Sequence, residues 1–163
     1  MKRFWGLFAV LLLTAALFTG CAGSEQEKTF TCGDLSITLP ANYKNLSQQD
    51  YAADFDFLFG LPTEAVLGFK QARAPLEANR PNLTAKDYAQ LFIDAAELSC
   101  TITEQDGLIT FTYTATADGT EVTYLCSAFM SETNFWILQF YCPSNIYAQH
   151  EEDFLRYLRS VRM

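Results

Sequence analysis

The chain has 163 residues, 50% of them apolar, with 19 acidic against 11 basic side chains and a formal net charge of −8. That is one domain's worth of chain, long enough to bury roughly two-thirds of its unfolded surface. Its charge repels phosphate backbones, and no basic patch with interleaved aromatics is present, so nucleic acid is excluded as a partner.

Met1-Lys2-Arg3 is a short basic start, Phe4 to Phe18 is apolar apart from Thr14, and Leu17-Phe18-Thr19-Gly20-Cys21 closes the segment with a small residue before a cysteine. The apolar run is several residues short of the ~20 that a spanning helix needs. This stretch resembles the signal peptide of bacterial lipoproteins, with Phe18 where that class usually has Leu. The resemblance implies a diacylglyceryl group on the Cys21 thiol and cleavage before it. The expected organisation is a signal peptide at 1–20, a lipidated tether at 21–28 and a single globular domain at 29–163. The domain would sit on the bacterial cell membrane, facing outside the cytoplasm, held by lipid chains whose grip grows by about 0.8 kcal/mol per buried methylene.

Thr29 to Thr31 and Leu35 to Leu39 read as a hairpin turning at Cys32-Gly33-Asp34, with Leu35, Ile37 and Leu39 on one face and Pro40 as the stop. Residues 50–60 carry two signals. Ser47 or Asp50 would open a helix bearing Tyr51, Phe55, Leu58 and Phe59, whereas the poor helix formers and alternating start of Asp54 to Phe59 favour a strand. Ala65 to Arg73 reads as a further strand, and Ala74 to Leu83 as a proline-punctuated connection.

Thr84 caps the clearest helix, with Asp87 as its acidic first-turn partner. Tyr88, Leu91, Phe92, Ala95 and Leu98 form its apolar face, and Lys86, Gln90, Asp94 and Glu97 its polar one. A strand meander follows: Cys100 to Thr103, Leu108 to Thr116, Glu121 to Met130 and Phe135 to Cys142. Its turns fall at Asp106-Gly107, Asp118-Gly119 and Ser131 to Asn134, the two Asp-Gly pairs suiting the positive φ of two-residue hairpins. This register puts Ile109, Phe111, Tyr113, Tyr124, Cys126, Ala128, Ile137 and Tyr141 on one face. Leu108, Leu125, Phe129, Trp136, Leu138, Phe140 and Cys142 take the other. Two apolar faces demand two covers. The second is a helix capped by Ser144, with Tyr147, His150, Phe154, Leu158 and Val161 in one stripe and Glu152 paired to Arg156. The fold class is therefore α+β, a three-layer α/β/α sandwich whose antiparallel sheet has six or seven strands and a helix on each face.

The hairpin TFTCGDLSITLP, the strand Phe135 to Phe140 and the closing helix ending at Ser160-Val161 together resemble PsbP-like domains of small bacterial lipoproteins. That resemblance implies a non-enzymatic module that binds or supports an unknown protein partner at a membrane, and it carries over no catalytic residues.

Chemistry is sparse. Cys32, Cys100, Cys126 and Cys142 form no CxxC or Cys/His zinc spacing. They allow three disulfide pairings, although the register sets Cys126 and Cys142 on opposite faces. His150 is the single histidine and reads as a packed, half-exposed residue. Asp54 and Asp56 lack the further oxygen ligands that calcium takes. The expectation is no catalytic, cofactor or metal site, and lipid at Cys21. Two alternatives remain: a small-molecule-binding lipoprotein with an aromatic pocket between sheet and helix, and a hydrolase with two carboxyls facing across a cleft.

Overall fold

The computed structural model describes residues 26–48 and 55–163. The leader, Cys21, Tyr51 and Asp54 lie outside the described residues. Among the described residues nine strands and three helices follow one another: β1 (Glu27–Cys32), β2 (Leu35–Pro40), β3 (Lys44–Asn45), β4 (Phe57–Gly60), β5 (Ala65–Ala72), α1 (Arg73–Glu77), α2 (Ala85–Ala95), β6 (Thr103–Gln105), β7 (Leu108–Ala117), β8 (Thr120–Met130), β9 (Asn134–Pro143) and α3 (Tyr147–Arg159). Seven strands form one antiparallel sheet in the order β3-β4-β5-β9-β8-β7-β6, while β1 and β2 form a separate ribbon. Among the described residues, no helix is long and apolar enough to cross a membrane.

The turns explain the register. Gln105 pairs with Leu108 and Ala117 with Thr120, leaving two-residue loops. Asp106 and Gly107 stand at φ 52° and 78°, and Asp118 and Gly119 at 49° and 77°, the doubly positive pattern of type I′ turns. Both faces of the sheet are buried, as expected. On one side Phe111, Cys126, Ala128, Phe135 and Ile137 pack under α2. On the other, Leu108, Leu125, Trp136, Leu138, Phe140 and Cys142 pack under α3 and the inward residues of β2, Leu35, Ile37 and Leu39. The α3 side is thus covered jointly by a helix and a ribbon. The end of the chain holds β2 by a backbone pair, Ser36 N to Arg162 O at 2.8 Å and Arg162 N to Ser36 O at 2.9 Å.

Asp34, in the β1–β2 turn, fastens the ribbon to the sheet. Its carboxylate accepts hydrogen bonds from Trp136 Nε1 at 3.0 Å, Asn134 Nδ2 at 2.8 Å, Thr133 Oγ1 at 3.2 Å and Ser131 Oγ. Burial works to raise this carboxyl's pKa, but the bonds from Ser131, Asn134, Trp136 and its own backbone amide outweigh burial and hold it well below the usual carboxylate range.

Several local expectations need correction. β1 starts at Glu27, two residues ahead of Thr29, because Glu27 and Lys28 pair with Pro40 and Leu39. Phe57–Gly60 is the strand that the alternation of Asp54 to Phe59 favoured, aligned on β5 from Phe57↔Gly68 to Gly60↔Ala65. The connection after β5 contains a short helix, α1, in which Pro75 sits in the first turn, where no intrahelical N–H bond is lost. The Thr84–Asp87 capping box is present, and Tyr88, Leu91 and Phe92 pack on the sheet as expected, but the deepest residues of α2 include Ala89 and Ile93 and Ala95 is exposed. Leu98 falls past the helix end, after Glu97 turns to φ 54°. β6 begins at Thr103 rather than Cys100. Ser144 does not cap α3, whose N-cap is Ile146 with no side-chain bond, since the Ser144 hydroxyl is engaged by Thr123 at 2.8 Å. Arg156 bonds Asp153 at 3.0 Å and also reaches Glu27, in place of the expected Glu152.

Candidate functional site

The β4–β5 turn closes with Leu61 N donating to Glu64 O at 2.8 Å, which brings the Glu64 side chain inward. Glu64 is 8% exposed, a rare burial for a carboxylate. Two elements distant in sequence supply its partners. Tyr43, following β2, donates its hydroxyl to Glu64 Oε1 at 2.7 Å, and His150, in the first turn of α3, places Nδ1 2.5 Å from Oε2. Tyr43 is held edge-on to Tyr157 with ring centres 6.3 Å apart, and His150 stacks on Phe154 at 5.8 Å. Burial first, and then the bond to Glu64, push the Tyr43 phenol far above its ordinary pKa, so it stays a donor.

Beside this cluster lies a half-open cleft of about 530 Å³ at the ends of the strands, walled by Leu46, Leu61, Ala65, Val122, Tyr141 and Pro143. Lys44 and Glu64 are the charged groups lining it. Among the described residues its aromatic content is Tyr141 alone, and it presents one carboxyl rather than two. The facing carboxyls that a hydrolase would need are therefore not brought together there. Phe57, Phe59, Phe111 and Trp136 are buried in the core, and Phe55, Phe69, Tyr113 and Tyr124 pack against it. Phe57 stacks on Phe59 at 5.2 Å, and Phe55 meets Phe69 edge-on at 5.2 Å.

Glu64 Oε1 accepts from Tyr43, while Oε2 has no hydrogen-bond donor among the described residues and lies at ion-pair distance from His150 Nδ1, so the cluster ties three elements together. The thiols are unreactive. Burial, with the Glu64 charge second, pushes Cys142 up to about 11. Burial also raises Cys32, Cys100 and Cys126, so none of the four is a thiolate at neutral pH. Cys126 and Cys142 lie on opposite sheet faces, as the register implied, and all four cysteines are unpaired. Asp56 accepts from the Lys70 amide at 2.6 Å and pairs with Lys70 Nζ at 3.5 Å. Among the described residues, no cluster of three His, Cys, Asp or Glu side chains could hold a metal. His150 is packed and half-exposed as expected. Its carboxylate partner, 86 positions earlier in the chain, had no sequence signal beyond a glutamate in a turn.

The sequence matches no protein-family model and no curated protein. Similar solved structures include the solution structure of cyanobacterial PsbP (CyanoP) from Synechocystis sp. PCC 6803, with a TM-score of 0.59 and 12% identity, covering 90% of this chain and 99% of that one. A crystal structure from Bacteroides thetaiotaomicron VPI-5482 is similar with a TM-score of 0.52 and 12% identity, covering 84% of this chain and 47% of that one. With the seven-stranded antiparallel sheet and its helical covers, the likeness to cyanobacterial PsbP shows that this chain has a PsbP-like fold.

Proposed function

We propose that this is a bacterial lipoprotein anchored to the cell membrane through lipid at Cys21 and facing outside the cytoplasm, whose PsbP-like domain is a non-catalytic binding or assembly module. The leader Met1 to Cys21 supports the anchor. The five residues from Ala22 to Gln26, ahead of β1, span at most about 18 Å, keeping the domain close to the lipid. The observation that carries the non-catalytic reading is that the chain's single histidine is committed to a buried glutamate, while the four described thiols stay protonated. Among the described residues this leaves no free nucleophile–base pair built on histidine or thiolate.

Metabolic labelling with palmitate tests the anchor: label is expected on the native chain and none on Cys21→Ser. Unlabelled native chain overturns it. Crosslinking in intact cells tests the module, with a stoichiometric protein partner expected; turnover of a substrate abolished by one point mutation refutes it. A second reading, capture of a small apolar ligand, is favoured by the 530 Å³ cleft, a volume in the range of ligand sites. Saturable binding of an apolar fluorescent probe, lost in Leu61→Arg, would support it.

A further inference from the structure

We propose that the open edge of β7 is a self-association surface, at which a second copy of this chain adds its own β7 antiparallel to form one sheet across two molecules. β7 runs ten residues, LITFTYTATA, and pairs with β8 from Thr110 to Ala117. On its other side β6 covers only Leu108 to Thr110. From Phe111 onward no strand of the described residues lies beside that edge, and Thr112 and Thr114 to Ala117 are exposed. Along such an edge alternate residues turn their N–H and C=O groups outward, a template for another strand.

Natural sheets blunt their edges with short strands, charges, prolines or bulges. The opposite edge of this sheet, β3, is two residues long, and the outer strand of the ribbon, β1, carries Glu27 and Lys28. β7 has neither device, and its sequence contains no charge, proline or glycine.

The sequence of the edge selects the occupant. With a two-fold axis at Thr114, Thr114 faces Thr114 of the second copy, Thr112 faces Thr116, Tyr113 faces Ala115 and Phe111 faces Ala117. Each large side chain meets a small one on one face, and threonine meets threonine on the other, the kind of directly opposed pair that stabilises a sheet. The Tyr113 ring lies parallel to Tyr124, 4.7 Å away at 4°, and a second copy's Ala115 would stand directly opposite it. Each end of the paired segment is defined, because β6 occupies the edge at Thr110 and the Asp118-Gly119 turn ends the strand. Two copies of a chain with net charge −8 would meet along a seam with no charged side chain in the strand.

Cysteine crosslinking of the full chain in mild detergent, with diamide as the acceptor of the two electrons and two protons, reads the register directly. Thr114→Cys is expected to give a covalent dimer on a non-reducing gel, above the background of the chain's own cysteines, since directly opposed Cβ atoms lie about 5 Å apart. Thr116→Cys alone is expected to give none, because its copies would be displaced by four residues, about 13 Å. Thr112→Cys combined with Thr116→Cys should restore the dimer. Thr114→Lys, a folded variant by circular dichroism, should halve the mass measured by sedimentation. A native chain of monomer mass at ~50 μM overturns the proposal, as does equal crosslinking by Thr114→Cys and Thr116→Cys. A monomer that instead loses a different protein in Thr114→Lys assigns the edge to a foreign strand and likewise overturns it.

Discussion

Replacing Asp34 by alanine removes the acceptor through which the β1–β2 ribbon is fastened to the sheet. Trp136 is 1% exposed, so its indole N–H, now 3.0 Å from Asp34 Oδ1, would be left buried without a partner. A stranded buried donor costs about 1–3 kcal/mol, and bonds to a charged acceptor contribute about 1.5–3 kcal/mol. Asn134 and Ser131 can turn partly to water, which limits the sum. We expect a loss of about 3 kcal/mol, or roughly 6–12 °C in Tm at about 2–4 °C per kcal/mol. Urea unfolding followed by circular dichroism measures the loss, and a cycle with Trp136→Phe should show coupling between the two sites. The pH dependence has a definite sign. The folded-state pKa is depressed, so the carboxylate's stabilisation is present above the ordinary unfolded value near 3.9 and fades as pH falls below it. The gap between native chain and Asp34→Ala should therefore narrow in acid. A loss below about 1 kcal/mol, or a gap that widens in acid, would refute this account of how the ribbon is held.

Three further outcomes follow from other packing. Gly68→Ala would place a Cβ 2.2 Å from Phe57 Cε1, inside a ring that is 2% exposed. Overpacking of about 1–3 kcal/mol or more is expected in thermal melts, with unaltered stability as the contrary result. Thr84→Ala breaks the reciprocal Thr84–Asp87 box at the start of α2 and should cost about 1 kcal/mol by urea titration, with Thr84→Asp largely retaining stability. His150→Ala removes the group at ion-pair distance from the buried Glu64 Oε2 and should cost about 1–3 kcal/mol. Adding Glu64→Gln should then cost less than it does in the native chain, as a double-mutant cycle would register.

What the sequence determined by itself is whatever neighbouring residues enforce. Asp106-Gly107 and Asp118-Gly119 impose tight turns because those residues tolerate positive φ, and once the turns are set the alternation of β7, β8 and β9 assigns every side chain to a face. The Thr84–Asp87 cap likewise spans three residues. Two apolar faces then required two covers, which made the layered architecture legible. The tertiary structure alone decided that β5 lies beside β9, that β1 and β2 form a ribbon outside the sheet, and that α3 shares its face with that ribbon. It also decided that Glu64 is braced by Tyr43 and His150, that Asp34 gathers its donors across about a hundred residues, and that Ser144 bonds Thr123 instead of capping α3. The physical reason is common to all of these: a short-range signal is carried by backbone preferences within a few residues, whereas a polar side chain's partner depends on which distant surfaces the burial of apolar faces brings together.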